Sequence, residues 1–278
     1  MPSLIRDDGA SLEYQVVEPA APGSDRRPFI FQHGMGGNRN QPLGYVKQIA
    51  KTTLVCMDAR GHGGSSDVTD DHCSFDAFAD DIIALADDLG FDTFVAGGIS
   101  LGAGTALNLA VRYPERVAGL VLCRPAWLEH RQAERNTASY ELIANLLDEY
   151  ETEEALDRLT ASEIYRGVAA ESAAAAQSLR HQITRPKAAV NASILRRFPT
   201  TAPTSSREQW AAITVPSLVV GHLDDPFHPW EIAKAYSEAI PAADLVEVTS
   251  KDRDPVSFTA EVDAAISGFV DSTEWKSA

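Results

Sequence analysis

Ser100 lies in the segment GISLG, residues 98–102, which has the pattern G-x-S-x-G. An apolar run over residues 93–97 precedes this segment, and a helical pattern over residues 103–112 follows it. A serine on a sharp turn between a strand and a helix presents its hydroxyl clear of the sheet, where it can act as a nucleophile. Glycines permit such a turn, and the N-terminus of the helix that follows stabilises developing negative charge. The segment therefore predicts a nucleophilic serine at position 100.

A nucleophilic serine needs a base that takes its proton and an acid that orients the base. In folds that use this turn, the three groups follow in the order serine, acid, histidine. Asp224 and Asp225 come just after the apolar run at residues 215–221, and either could be the acid. The last histidine of the chain is His228, and residues 229–278 contain none. The sequence therefore has no histidine where the base is expected.

The composition excludes several classes of partner. The 278 residues carry a net charge of −16 at pH 7, which repels nucleic acid and anionic membranes, so we expect neither as a partner.

Residues 1–8 lack the apolar core of a signal peptide, and the apolar runs have the length of strands. The chain has only 3 cysteines, an odd number that fits a reducing compartment. We therefore expect a cytoplasmic protein.

Strand-like and helical patterns alternate along most of the chain. Apolar runs typical of buried strands occur at residues 29–32, 53–57, 93–97, 117–123, 215–221 and 244–248. Helical periodicity occurs at residues 75–89, 103–112, 231–239 and 258–270. This alternation predicts an α/β fold with a mainly parallel sheet and helices on both faces. Residues 3–6 and 12–18 flank an Asp-Gly turn and predict a hairpin.

Residues 128–210 break the alternation, because they contain no convincing strand. Their helical patterns lie at residues 140–150, 153–159, 171–182 and 186–197. We therefore interpret residues 1–127 and 211–278 as the α/β core, and residues 128–210 as a helical lid (cap) inserted between two strands.

Four motifs together resemble the α/β-hydrolase fold family. They are HGMGG at residues 33–37, DARGHGGS at residues 58–65, GISLG at residues 98–102, and the run at residues 215–221 that leads to DDP at residues 224–226. Their spacing covers nearly the whole chain. The resemblance implies the fold of that family, with a central, mainly parallel sheet and an inserted helical lid.

The resemblance also implies roles for individual residues. Residues 33–37 resemble the oxyanion loop of the family, which implies that the backbone N–H groups of Met35 and Leu101 form an oxyanion hole. The Asp-Pro pair points to Asp225, rather than Asp224, as the acid. In the family, the histidine lies in the loop between the last strand and the final helix.

The matching loop, residues 248–258, contains no histidine. From the distance to the closing helix, we predict that Phe258 occupies the place of the histidine, in preference to Ser257 or Asp254. A phenylalanine cannot accept the proton of a serine, and removal of the base from a serine triad costs about a million-fold in turnover. An efficient hydrolase therefore requires a histidine from elsewhere in the chain.

Five histidines are candidates for a substitute base. They are His222 and His228 near the acid, His33 at the oxyanion loop, and His130 and His181 in the lid. His228 is the best placed of them, and we take it as the possible substitute.

Three hypotheses follow for the activity. The first is a hydrolase with a rebuilt base that acts on a small, largely apolar carbonyl or ester-type substrate. The second is a non-hydrolytic enzyme of the same fold, of the isomerase, cyclase or lyase type, and the third is a catalytically silent small-molecule binder. Retention of Ser100 and of the acid favours an enzyme. We expect no metal and no organic cofactor, and a homodimer is compatible with the sequence.

Overall fold

A computed structural model describes residues 1–19, 28–47 and 49–272 of the chain. Its centre is an eight-stranded sheet with the strand order β1-β2-β4-β3-β5-β6-β7-β8. The strands are β1 (Ser3–Ile5), β2 (Ser11–Val17), β3 (Phe29–Gln32), β4 (Leu54–Met57), β5 (Phe94–Ile99), β6 (Val117–Cys123), β7 (Ser217–Gly221) and β8 (Ala243–Glu247). Strands β3 to β8 pair in parallel with their neighbours, whereas β2 is antiparallel to both β1 and β4. The predicted α/β fold with a mainly parallel sheet is confirmed.

Helices cover both faces of this sheet. They are α1 (Asn40–Tyr45), α2 (Phe75–Asp88), α3 (Leu101–Arg112), α10 (Trp230–Ala239) and α11 (Pro255–Ser272). Helices α2, α3 and α10 contribute to one apolar cluster, and α11 contributes to another, in which α1 also packs. The inner strands β3 to β7 are buried along their whole length apart from one residue of β6, as expected for parallel strands with both faces covered.

Helix α2 shows how local sequence forms these elements. Ser74 precedes the helix, and its hydroxyl accepts a hydrogen bond from the backbone N–H of Ala77 at 3.1 Å. This cap satisfies one of the N–H groups that a helix start leaves without a partner. Phe75, Phe78 and Ile82 recur at helical spacing and are buried against the core.

All the regular secondary structure between β6 and β7 is helical. Its helices are α4 (Glu134–Glu149), α5 (Thr152–Ala161), α6 (Glu163–Glu171), α7 (Ala173–Thr184), α8 (Ser193–Thr200) and α9 (Glu208–Ala211). Helices α4 to α7 pack around a separate apolar cluster that includes Ile143, Leu159 and Leu179. We call residues 128–210 the helical insertion. It has its own small core and rests on the carboxyl-terminal side of the sheet, through contacts with the loop after β3.

Phe198 anchors the end of the helical insertion to the core. Its side chain is fully buried, and its ring lies 4.9 Å from the rings of both Phe75 and Phe78. Its carbonyl oxygen accepts a hydrogen bond from the indole N–H of Trp127 at 2.9 Å. One residue thus joins α8 to α2 and to the chain that leaves β6.

The turn after β4 is held by ion pairs with distant parts of the core. The guanidinium of Arg60 contacts the carboxylate of Asp81 at 2.7 and 2.9 Å and that of Asp8 at 2.5 Å. The carboxylate of Asp58 accepts hydrogen bonds from the backbone N–H of Arg39 at 2.6 Å and of Gly64 at 2.8 Å. The DARGHGGS motif therefore serves to position the turn.

None of the helices in the described parts of the chain combines the length and the apolar character that crossing a bilayer requires. The cysteines Cys56, Cys73 and Cys123 are buried and free.

Truncation of Phe198 tests its anchoring role. We expect Phe198→Ala to lower the free energy of unfolding by about 3–5 kcal/mol, because it removes a fully buried ring and leaves a cavity. Urea denaturation followed by circular dichroism measures this change. The matched control is Phe91→Ala, which truncates a half-buried ring and should cost less. Equal losses from both variants would contradict the role given to Phe198.

Candidate active site

Ser100 occupies a strained turn between β5 and α3. Its backbone has φ 54° and ψ −107°, a conformation that residues with a side chain rarely adopt. Two glycines permit it: a methyl group on Gly98 would lie 2.1 Å from the carbonyl carbon of Gly102, and one on Gly102 would lie 2.4 Å from the carbonyl oxygen of Gln32. The close approach of three chain segments therefore explains the G-x-S-x-G spacing.

His228 faces the Ser100 hydroxyl. Its Nε2 lies 2.8 Å from Ser100 Oγ, and its Nδ1 lies 3.0 Å from Asp225 Oδ2. The other oxygen of Asp225 accepts hydrogen bonds from the backbone N–H groups of Phe227 at 3.1 Å and of His228 at 3.2 Å. The three side chains form a continuous chain from hydroxyl to imidazole to carboxylate, in which the acid and the histidine belong to one loop.

Arg124 is the fourth side chain of this group. It follows β6 directly, and its Nε and Nη2 lie 3.0 and 2.6 Å from Asp225 Oδ2. Its Nη2 also lies 3.1 Å from His228 Nδ1. Sequence reasoning missed this residue. The available signal was an arginine placed immediately after an apolar run, at the carboxyl end of a predicted parallel strand.

These contacts set the charges of the group. Burial alone would raise the pKa of Asp225, but the Arg124 guanidinium and the His228 imidazole hold that pKa well below its usual range. Burial lowers the pKa of His228; Asp225 acts in the opposite direction, and Arg124 lowers the pKa further. At neutral pH the imidazole is therefore neutral and able to accept a proton, while the carboxylate beside it is ionised.

His222 approaches the same oxygen of this carboxylate. Its Nδ1 is 2.7 Å from the carbonyl oxygen of Leu223, and its Nε2 is 3.3 Å from Asp225 Oδ2. Burial lowers its pKa. The ring thus packs against the acid, and the imidazole that contacts Ser100 belongs to His228.

The remaining candidate histidines have other partners. The ring nitrogens of His33 lie 2.8 Å from the carbonyl oxygen of Gly34 and 3.0 Å from the backbone N–H of Ala59. The Nε2 of His181 lies 3.1 Å from the carbonyl oxygen of Gly36. His130 is exposed.

The structure separates the two candidate acids. Asp225 is buried in contact with His228, whereas Asp224 is exposed and pairs with Arg253 at 2.9 Å. Asp224 also has a positive φ of 63°. The chain turns there, so that the carboxylate of Asp225 points toward His228 and that of Asp224 toward Arg253. Neither caps α10, whose N-cap residue is Pro229 and which has no side-chain cap.

Phe258 lies in the first turns of α11 and is buried in the core. Its ring makes edge contacts with Tyr45 at 5.8 Å and His222 at 5.4 Å, and lies 6.0 Å from the guanidinium carbon of Arg124. The expectation from sequence placed Phe258 where an imidazole would face Ser100. In the structure that place holds His228 Nε2, and Phe258 forms the apolar wall behind Arg124 and His222.

The predicted oxyanion residues belong to two different segments near Ser100, the start of α3 and the loop after β3. Leu101 is the first residue of α3, so its backbone N–H has no acceptor within the helix. Met35 lies in the loop after β3, and its carbonyl oxygen accepts a hydrogen bond from Gln182 of the helical insertion at 2.9 Å. A methyl group on the neighbouring Gly34 would lie 3.5 Å from Ser100 Cβ, which shows how closely this loop approaches the serine.

Within residues 1–19, 28–47 and 49–272, no group of three or more histidine, cysteine, aspartate or glutamate side chains is arranged to hold a metal ion. The Asp225 carboxylate instead contacts Arg124 and His228.

Comparison with known sequences gives one family and several relatives. A sequence model of the alpha/beta hydrolase fold matches residues 27–252. The 3-oxoadipate enol-lactonase 2 of Acinetobacter baylyi is 27% identical over 210 residues, which cover 73% of each chain. A protein of Rhizobium rhizogenes, RutD, provisionally named a carbamate hydrolase, is 26% identical over 225 residues, which cover 80% of this chain and 83% of that protein.

Solved structures share the fold over nearly the full length. An enol-lactonase from Burkholderia xenovorans superposes with a TM-score of 0.71 and 18% identity, over 95% of this chain and 99% of its own. A hydrolase from Pseudomonas aeruginosa gives a TM-score of 0.71 and 22% identity, over 96% of this chain and 97% of its own. At these identities the likeness concerns the fold alone.

The buried histidines predict that the protein loses stability in mild acid. Burial lowers the pKa of His33 to about 4 and also lowers those of His62, His222 and His228, from an ordinary value of 6.5. Below pH 6.5 the unfolded chain therefore binds protons that the folded chain does not, so the free energy of unfolding falls as the pH falls. From pH 7 to pH 5, His33 alone accounts for about 2 kcal/mol.

Urea denaturation at pH 7, 6 and 5 measures this loss. Over this range the carboxyl group of Asp225 adds little, because the unfolded chain binds this proton only as the pH approaches the ordinary pKa of 3.8. His33→Gln should flatten the dependence, because glutamine does not titrate. A free energy of unfolding that is equal at pH 7 and pH 5 would refute the prediction.

Proposed function

The chain belongs to the alpha/beta hydrolase fold family, and we propose that it hydrolyses small esters or related acyl compounds with Ser100, His228 and Asp225 as its catalytic triad. The observation that carries this proposal is the contact of 2.8 Å between His228 Nε2 and Ser100 Oγ. The loop after β8 contains no histidine, and this contact makes His228 the base of the proposed triad.

In the proposed reaction, Ser100 Oγ attacks the carbonyl carbon of the substrate while His228 Nε2 takes the hydroxyl proton. Asp225 accepts a hydrogen bond from His228 Nδ1–H, which holds the ring in the required tautomer and stabilises the imidazolium that forms. His228 then gives the proton to the leaving group, and water releases the acyl group by the same steps in reverse.

The tetrahedral intermediate carries a negative oxygen, which we place between the backbone N–H groups of Met35 and Leu101. The position of Leu101 at the start of α3 supports this role, because the helix dipole adds to its donor. Preorganised donors of this kind contribute about 3–4 kcal/mol each to lowering the barrier.

The relatives support a small substrate. Two of them are named an enol-lactonase and, provisionally, a carbamate hydrolase, and lactones and carbamates both contain an acyl carbon. The hypotheses of a non-hydrolytic enzyme or a silent binder rested on the loss of the base. With His228 in contact with Ser100, that loss no longer supports them.

Active-site labelling and hydrolysis test the triad. We expect a fluorophosphonate probe to label Ser100 in the wild-type protein, and we expect 4-nitrophenyl acetate to be hydrolysed. His228→Asn should lower kcat by about 10⁴-fold or more and abolish rapid labelling, because the remaining side chain cannot accept the proton. Ser100→Ala is the negative control, and mass spectrometry locates the adduct.

His130→Asn is the matched control, because it makes the same change at an exposed histidine and should leave the rate unaltered. Labelling of His228→Asn at the wild-type rate would show that another group activates the serine.

A separate measurement tests Arg124 as a positioning residue. The guanidinium lies 3.1 Å from His228 Nδ1 and lowers the pKa of the imidazole, so its removal should make His228 easier to protonate. We expect Arg124→Gln to shift the acidic limb of the kcat/KM profile to higher pH, so that activity falls more at pH 6 than at pH 8.

Arg253→Gln is the control for this shift. It removes an exposed arginine that pairs with Asp224, and it should leave the acidic limb in place. An unchanged profile for Arg124→Gln would show that Arg124 does not tune the base.

A further inference from the structure

A cavity of about 740 Å³ lies between the helical insertion and the core. Its walls come from α6, α7, Gln41 of α1 and Lys251 in the loop after β8. Most of the side chains in these walls are polar: they carry amide, hydroxyl and basic groups, and a few alanines lie beside them. The cavity is large enough for a small organic molecule.

This cavity adjoins the candidate active site through the loop after β3. The Oε1 of Gln41 accepts a hydrogen bond from the backbone N–H of Gly34 at 2.8 Å. A methyl group on Gly34 would lie 3.6 Å from Gln41 Oε1 and 3.5 Å from Ser100 Cβ. His181, another wall residue, lies 3.1 Å from the carbonyl oxygen of Gly36. The loop after β3 thus contacts both the cavity wall and the serine turn, which places the cavity next to Ser100.

The charge of the cavity is opposite to that of the protein. Its walls contain Arg180, His181 and Lys251, and among the described residues that line it there is no aspartate or glutamate. The whole chain has 40 acidic residues against 24 lysines and arginines. An anion is repelled by most of this surface, so a basic cavity without acidic groups is the place where an anion is favoured.

Lys251 is the most informative of these residues. It is half-buried, and in residues 1–19, 28–47 and 49–272 its ammonium group has no hydrogen-bond or ion-pair partner. Burial lowers its pKa, and Arg124 adds to this effect, while Asp225 and Asp252 oppose it. Neither carboxylate is free to pair with it, because Asp225 pairs with Arg124, and Asp252 accepts hydrogen bonds from Ser172 Oγ and the backbone N–H of Ala174.

A half-buried cation without a counter-ion is costly, and an anionic ligand would offset that cost. Arg180 lies on α7 in the same wall, and its planar guanidinium can bind an anionic group through two parallel hydrogen bonds. Gln177 and Ser178 on the same helix offer neutral donors beside it.

We propose that this cavity binds the anionic end of the substrate, a carboxylate or phosphate group carried on the acyl or alcohol chain, through Lys251 and Arg180. The inference rests on the proposed function, since it assigns the reacting end of that substrate to Ser100. It also changes the expectation of a largely apolar substrate: the molecule carries charge at the end remote from Ser100.

Equilibrium binding tests the inference without any need for catalysis. Isothermal titration calorimetry on Ser100→Ala would compare glutarate with its neutral diamide, glutaramide. We expect glutarate to bind about tenfold more tightly, as is typical of hydrogen bonds from charged donors. Adding Lys251→Met should remove most of this preference, whereas adding Lys234→Met, which removes a lysine on the exposed face of α10, should preserve it.

Arg180→Gln provides a second variant at an exposed position, where folding is not at risk, and it should also weaken glutarate binding. A titration with 3-phosphonopropionate distinguishes the two kinds of anion, because tighter binding than glutarate would identify a phosphate-bearing substrate. Equal affinities for glutarate and glutaramide, or a preference that survives both Lys251→Met and Arg180→Gln, would overturn the inference.

The two proposals can fail separately. If wild-type protein hydrolyses 4-nitrophenyl acetate but Ser100→Ala shows no preference for glutarate, the anionic subsite is wrong and the hydrolase proposal stands. If glutarate is preferred but no ester is cleaved and Ser100 is not labelled, the cavity binds anions and the proposed reaction is wrong.

Discussion

The Asp225 carboxylate is the interaction on which the candidate site depends. One of its oxygens accepts hydrogen bonds from two backbone N–H groups of its own loop, and the other contacts Arg124 and His228. A buried carboxylate is stable only when such donors surround it. Its burial therefore fixes the loop, the guanidinium and the imidazole in one arrangement, and that arrangement directs His228 Nε2 toward Ser100.

The parallel sheet brings these groups together from distant parts of the chain. Ser100 follows β5, Arg124 follows β6, Asp225 and His228 follow β7, and Lys251 follows β8. The carboxyl ends of neighbouring parallel strands lie at one edge, where ligand sites of open α/β sheets are found. Ser100, Arg124 and Asp224 all have positive φ at this edge, and the packed strands beneath them stabilise that strain.

Much of this arrangement could be predicted from sequence because it depends on local rules. Strand β3 has the predicted limits, and the G-x-S-x-G turn forms where the glycines require it. The helical insertion was predicted as helical, yet α6 was missed, and the helix expected from residue 186 begins only at Ser193. The short helices α5, α6 and α7 are separated only by the capping residues Ser162 and Ser172. Their hydrophobic periodicity is therefore too short to show where each helix begins and ends.

The side-chain contacts of the site were harder to predict. His228 was identified as a candidate from its position near the acid, but a spacing of three residues within a loop does not determine where a ring points. Arg124 was missed because its role depends on the neighbouring strand, which lies about a hundred residues away in sequence. Phe258 was assigned to the place of the histidine by counting back from the closing helix. Such counting gives no information about which side chain contacts Ser100.

Placing acid and histidine three residues apart has a mechanical consequence. In a triad whose three members come from three loops, two separations must be maintained at once as the protein fluctuates. Here the short loop closes the acid–histidine pair at small entropic cost. The pair therefore depends on distant parts of the chain only for its position relative to Ser100 and Arg124. The loop after β8 fastens the helical insertion through Asp252, which accepts hydrogen bonds from Ser172 Oγ and the backbone N–H of Ala174.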